Sequence, residues 1–276
     1  MTPLIIGAAL MIDNIPTHRD WIYAKNRDLE IQDFVRAEVY RDGWQTTVER
    51  AKLALNGFEG RLGIHGPFQG LDIACSDPDT ADVIGRRYAD AMGAAAALGA
   101  RQMVIHSPFN SWHHYNRFNF VQPDYESVVA KVAEDVKHLL GSALKLGEAY
   151  GVQMVLENIQ DITPQIRREM VEIIDSSALA LSIDTGHAQI AQRASDAPPV
   201  DIYVRDAGSL LQHVHIQDTD GYADRHWAPG EGHIEWTEVF RALAEADSAP
   251  HLVLELRRHT DIPQGFAHLQ GLGVAA

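Results

Sequence analysis

The side chains able to bind a cation are not scattered in this sequence; they fall at the ends of apolar runs. Gly63-Ile64-His65, Val104-Ile105-His106, Val155-Leu156-Glu157 and Ser182-Ile183-Asp184 each close on one. His213-Val214-His215 and Leu254-Glu255 carry one within the run. An imidazole or carboxylate at a buried strand end is costly unless it is paired or bound to a metal. A single such histidine is most simply a hydrogen-bonded core residue. Six apolar runs in succession, each with a metal-capable side chain, point to one site. Imidazole suits zinc, iron or manganese, and carboxylates harden the set and help hold several cations close together.

More candidates lie beside these six. His187 follows Asp184 by three residues, so both can turn toward one centre at the strand exit. Asp224 and His226 are two apart, and in an extended loop both face one ion. Gly230 and Gly232 follow, where a tight backbone path near a ligand needs small residues. His213 shares the inward face of His215 and is read as a supporting residue. The lone cysteine, Cys75, is read as a small buried hydrophobe rather than a nucleophile.

The elements that must position these groups are legible as runs. Eight candidate strands are Leu4–Leu10, Leu29–Phe34, Leu62–His65, Gln102–His106, Gln153–Glu157, Leu179–Asp184, Gln212–Ile216 and Leu252–Leu256. Helical stretches fall between them at Trp44–Leu55, Asp79–Leu98, Tyr125–Tyr150, Pro164–Ile174 and Thr237–Ala246. Gly99 and Gly151 end two of these, and Thr163-Pro164 opens another. Strands alternating with helices imply a parallel sheet. Gly7-Ala8-Ala9 is no phosphate-binding glycine loop, so an α/β fold with a single (β/α)8 TIM barrel over residues 1–276 is expected rather than an open doubly wound sheet. All strand C-termini of such a barrel open on one rim, so ligands tens of residues apart converge there. Ser195–Val200 reads as a loop within the barrel, and Ser107–Pro123 as a long aromatic loop on the site face.

Bulk properties narrow the classes. The 276 residues are 46% hydrophobic and 22% charged, enough for one large core and against global disorder. One cysteine excludes an internal disulfide framework, and no signal segment or apolar span stands out, so a soluble cytoplasmic protein is expected, with no membrane partner. The net charge of −15 and the lack of a basic strip argue against nucleic acid as a partner, although bound metal would add positive charge at the site itself. Fourteen histidines become meaningful once many of them fall at strand ends.

Leu156-Glu157-Asn158, Ile183-Asp184-Thr185-Gly186-His187-Ala188, His215, and Asp224-Arg225-His226 running into Gly230-Glu231-Gly232 resemble the xylose-isomerase-like TIM-barrel superfamily. That superfamily includes sugar epimerases, inosose dehydratases and endonuclease IV. The resemblance spans the second to the eighth strand. Its epimerases imply one divalent ion on Glu157, Asp184, His215 and Glu255, with the two glutamates as acid and base. Endonuclease IV implies a trinuclear zinc site, and all nine of its ligands have a match: His65, His106, Glu157, Asp184, His187, His215, Asp224, His226 and Glu255. Many sugar phosphate isomerase-like proteins share the larger set.

The resemblance therefore implies zinc or manganese, two or three ions per chain, with Glu157, Glu255 and His187 as catalytic candidates. Arg225 and Arg257 could hold a phosphate or hydroxyl, and Phe68 and Trp112 could line a sugar ring or a base. A divalent-metal sugar or sugar-phosphate isomerase or epimerase is the favoured expectation, its substrate a small carbohydrate. A multinuclear phosphoester hydrolase is the alternative, and a non-catalytic metal-stabilised barrel the third reading. Homo-oligomers are common among small-molecule members of the superfamily.

Overall fold

The alternation of apolar runs and helical stretches closes into a ring. In the computed structural model, which describes residues 2–116 and 125–276, the eight strands pair in parallel and in chain order, β1 to β8, with β8 returning to β1. They are β1 (Gly7–Leu10), β2 (Leu29–Ile31), β3 (Leu62–His65), β4 (Gln102–His106), β5 (Gln153–Glu157), β6 (Leu179–Asp184), β7 (Leu211–Ile216) and β8 (His251–Leu254). Helices wrap the outside, which makes the fold the expected single (β/α)8 barrel.

Three strand ends differ from the sequence expectation by two residues or more. Leu4 pairs only through an isolated bridge to Ala275, so β1 starts at Gly7. β2 stops at Ile31 because Gln32–Val35 turns into a 3-10 helix that buries Phe34. β8 stops at Leu254, and Glu255 lies one residue beyond it, its N–H still donating to the Ile216 carbonyl at 3.1 Å. An apolar run marks burial, and burial continues into turns where ladder pairing has ended.

Helices form at Gln45–Ala54, Pro78–Leu98, Tyr125–Tyr150, Gln165–Ile174 and Trp236–Glu245, close to the expected bounds. Asp77 caps the second by accepting from the Thr80 N–H, and Gly99 ends it at φ 84°. Helices at Ile15–Tyr23, Thr185–Ser195, Val200–Ala207 and Ile262–Gly271 are further findings. The stretch expected as an aromatic loop contains a short helix, Ser111–Asn116; Phe118, Phe120 and the Trp112 side chain lie outside the described residues. Among the described residues no helix is long and apolar enough to cross a membrane.

Two apolar regions result. The large one lies between strands and helices. The small one is Val104, Val155 and Ala180 inside the ring. The rest of the interior is notably polar. Glu30 on β2 reaches His213 and His215 on β7, and Gln102 on β4 donates to the Gln212 carbonyl on β7 at 2.8 Å.

Candidate metal centre

All nine residues expected at the rim meet there, in three groups, two of which share Glu157. His65 and His106 face Glu157; Glu157, Asp184, His215 and Glu255 form a second group; His187, Asp224 and His226 form a third. Within each group the ligand atoms lie within 4.8 Å of one another. Strand register does the first part of this placement. His106 pairs with Glu157 across β4 and β5, and Asp184 with His215 across β6 and β7.

Local structure does the second part. Asp184 caps the helix Thr185–Ser195, its Oδ1 accepting from the His187 N–H at 2.7 Å. That cap puts His187 in the first helical turn, facing the rim. Asn158 clasps the Asp184 backbone from both sides, donating to its carbonyl at 3.0 Å and accepting from its N–H at 2.9 Å. Gln217 binds Asp184 Oδ1 and Asp224 Oδ1 through its amide nitrogen at 3.1 and 3.0 Å, and accepts from the His226 N–H at 3.1 Å. A Cβ at Gly186 would lie 2.3 Å from the Gln217 amide, so glycine is what admits Gln217 here.

The Asp224–His226 loop is built around one buried carboxylate. Asp218 accepts from the Thr219, Gly230 and Ile234 N–H groups and from the Trp236 indole at 2.8–3.3 Å. A Cβ at Gly232 would sit 2.3 Å from Asp218 Oδ1, and Gly230 has φ 93°, so both glycines serve the tight path expected of them. His226 takes φ 48°, an uncommon conformation for a side-chain-bearing residue and one found where a site over-determines the backbone.

Imidazole orientation is fixed from behind. His65, His187 and His226 direct Nδ1 at the carbonyls of Gly66, Asn158 and Glu255, at 2.9, 2.9 and 3.2 Å. An N–H donated there leaves Nε2 bare toward the carboxylates. His187 Nε2 lies 3.4 Å from Asp224 Oδ1, and His226 Nε2 3.1 Å from Asp224 Oδ2. His65 and His106 Nε2 lie 3.8 and 3.6 Å from Glu157 Oε2. His215 is turned the other way: its Nδ1 is 3.1 Å from Glu157 Oε1 and 3.4 Å from Glu255 Oε2.

Charge balance follows from this crowding. Burial alone would lower the His187, His215 and His226 pKa values, but the surrounding carboxylates raise all three, His226 to about 9. Burial together with the Glu157 and Glu255 charges lifts Asp184 to about 6, against the pull of His187. Burial, aided by the neighbouring imidazoles, takes His106 down to about 3 despite Glu157. The groups suit divalent cations. Glu157 Oε2 and Asp184 Oδ2 are buried, have no hydrogen-bond partner, and belong to these groups. Such oxygens are costly unless a cation meets them.

The other candidates fare unequally. Phe68 stacks on His106, ring centroids 4.1 Å apart, and flanks the site. Arg257 is exposed, its N–H donating to the His226 carbonyl. Arg225 is not presented as a free cation: Asp220 takes its Nε and Nη2 at 3.3 and 2.9 Å, and its guanidinium lies over the Trp227 ring. Cys75 is half-buried. Sequence reasoning missed Glu30, Gln32, Gln217 and Asp218. Gln32 donates to Glu255 Oε1 at 2.6 Å, and Glu30 lies against His215 Nε2. A glutamate inside the short run Leu29-Glu30-Ile31 was the one available signal; the two glutamines and Asp218 had none.

Known proteins resemble this chain in sequence and in fold. A family model described as a xylose isomerase-like TIM barrel matches residues 30–272. An uncharacterised protein of Methanocaldococcus jannaschii is 27% identical over 196 residues, 68% of this chain and 61% of that protein. The D-psicose 3-epimerase of Ruminiclostridium cellulolyticum is 26% identical over 207 residues, 72% of this chain and 64% of the enzyme. The chain thus spans under two thirds of these curated relatives. In fold, it superposes on a D-tagatose 3-epimerase-like protein with TM-score 0.75 and 22% identity, covering 97% of this chain and 96% of the other. A Thermus thermophilus protein soaked with ZnCl2 superposes with TM-score 0.72 and 24% identity over 98% of both chains.

Proposed function

We propose that this chain, which belongs to the xylose isomerase-like TIM-barrel family, is a divalent-metal-dependent isomerase or epimerase of a sugar or sugar phosphate. The observation that carries this is the buried group Glu157, Asp184, His215 and Glu255, with two glutamates on one imidazole nitrogen. The relatives named as D-psicose and fructoselysine 3-epimerases support it. Those four residues would hold one ion, and the flanking groups could hold one or two more, zinc or manganese by donor type. Bound there, a divalent ion supplies Lewis acidity to a substrate carbonyl.

The chain's own groups do the rest. Glu157 and Glu255 come from β5 and from just past β8, so they approach a bound sugar from different sides. One takes the proton from the carbon beside the carbonyl, and the other returns one. Each such transfer contributes roughly 10²–10⁴-fold. Phe68 gives the sugar ring an apolar wall over His106. His187, its Nδ1 on the Asn158 carbonyl and its Nε2 beside Asp224, would serve as a metal ligand rather than as a proton donor. We place the protein in the cytoplasm, as its unpaired Cys75 suits a reducing compartment.

A second reading is favoured by a specific feature. The flanking groups His65–His106–Glu157 and His187–Asp224–His226 exceed what one-ion proton transfer needs. Two or three ions would instead activate water and clamp a leaving oxygen in phosphoester hydrolysis. One experiment divides the two. Metal-loaded protein in D₂O with ketoses and ketose phosphates is expected to incorporate deuterium at the carbon beside the carbonyl. Glu157→Gln is expected to abolish it. No incorporation from any ketose, with cleavage of abasic DNA or a model phosphodiester, would overturn the isomerase reading.

A further inference from the structure

We infer that Glu30 is a positioning residue that holds the N–H of His215 on Nε2 and so aims its Nδ1 lone pair at Glu157, Asp184 and Glu255. The inference rests on the reading of those residues as a metal site. Three features carry it.

First, His215 stands apart in how it is held. The outer nitrogens of His65, His187 and His226 meet backbone carbonyls. His215 Nε2 instead meets both oxygens of a carboxylate, at 3.2 and 3.1 Å from Glu30. A carboxylate is the stronger acceptor, and one placed behind a ligating imidazole fixes its tautomer and raises its basicity.

Second, Glu30 lies behind the rim, where it groups with His213 and His215 rather than with Glu157, Asp184 and Glu255. It is 1% exposed, on the short strand β2, and surrounded by barrel interior rather than by solvent or by the rim. An ionised carboxylate there is costly unless it is hydrogen-bonded. Its hydrogen-bond partner is His215, and His213 Nε2 lies beside it at 3.2 Å without a hydrogen bond.

Third, Glu30 is confined by a second imidazole. His213 Nε2 lies 3.2 Å from Glu30 Oε2, and its other nitrogen lies 2.9 Å from the Ser182 hydroxyl. Ser182, His213, Glu30 and His215 thus lie in order across the barrel interior, hydrogen-bonded at the Ser182–His213 and Glu30–His215 ends and in proximity between them.

The test uses zinc and the full-length chain, with affinity read by competition against a chromophoric chelator. Glu30→Ala is expected to weaken zinc binding about 100-fold, and Glu30→Gln, which keeps an acceptor but loses the charge, about tenfold. His251→Ala serves as the control for interior damage. Its ring lies 6.4 Å from that of His213, on the side away from the site, and it is expected to lose stability but not affinity. In the zinc-loaded protein, ¹⁵N imidazole signals are expected to show the His215 proton on Nε2. Wild-type affinity in Glu30→Gln, or a proton found on Nδ1, would overturn the inference even if Glu30→Ala fails to fold. Loss of one whole zinc equivalent in Glu30→Ala would also overturn it, by making Glu30 a ligand. Failure of the site reading looks different: the wild type would bind no zinc, or Glu157→Gln would bind it as the wild type does.

Discussion

At the scale of single residues, the candidate site depends on side chains that touch no substrate. Gln217 links Asp184, Asp224 and the His226 backbone, and it fits only because residue 186 lacks a Cβ. Gly186→Ala therefore sets two effects against each other. Alanine in a helix gains up to ~1 kcal/mol over glycine. The overlap with the Gln217 amide costs ~1–3 kcal/mol as a local overpacking. The expected result is a net loss in urea midpoint, together with weaker metal binding. A stabilised protein with unchanged affinity would show that Gln217 is dispensable.

At the scale of elements, the loop after β7 is the part most exposed to damage. Four donors converge on Asp218, and the loop they shape carries Asp224 and His226. Asp218→Ala leaves those donors buried and unmet, at a cost of at least ~2 kcal/mol. If each group holds an ion, the expected outcome is loss of the one that His187, Asp224 and His226 would hold, with the one on Glu157 retained. Counting zinc equivalents checks this, and equal loss from both groups would contradict it. This loop also shows where sequence was readable. Asp224, His226 and the glycines stand out by residue type, and so do the strand-end ligands. Asp218 and Gln217 look like ordinary polar residues, because their importance lies in geometry across the barrel. The same holds for strand ends: Phe34 and Leu256 are buried, as a strand residue would be, yet neither belongs to a strand. Thr185–Ser195 and Val200–Ala207 went unread as helices because their start signals, Asp184 and Pro199, sit in stretches that read as a strand end and a loop.

At the scale of the whole molecule, ionisation of buried tyrosines ties stability to high pH. Burial is the first cause raising the hydroxyls of Tyr40, Tyr88 and Tyr203 above their ordinary value of 10.0. A group raised in the folded state contributes stability that is fully present below its unfolded value and is lost as pH rises past it. Tyrosinate absorbance from the buried set is therefore expected only together with unfolding. A single smooth titration with the fold intact would contradict this.

The polar interior has a mechanical side as well. Backbone bonding closes the ring only around its circumference, strand to neighbouring strand. Glu30 to His215 and Gln102 to Gln212 run as chords instead, each joining strands that are three places apart around the ring. A closed hoop can flatten toward an oval without breaking any rung, and chords at two heights oppose that. Cutting the upper one would let the rim deform while the floor kept its shape.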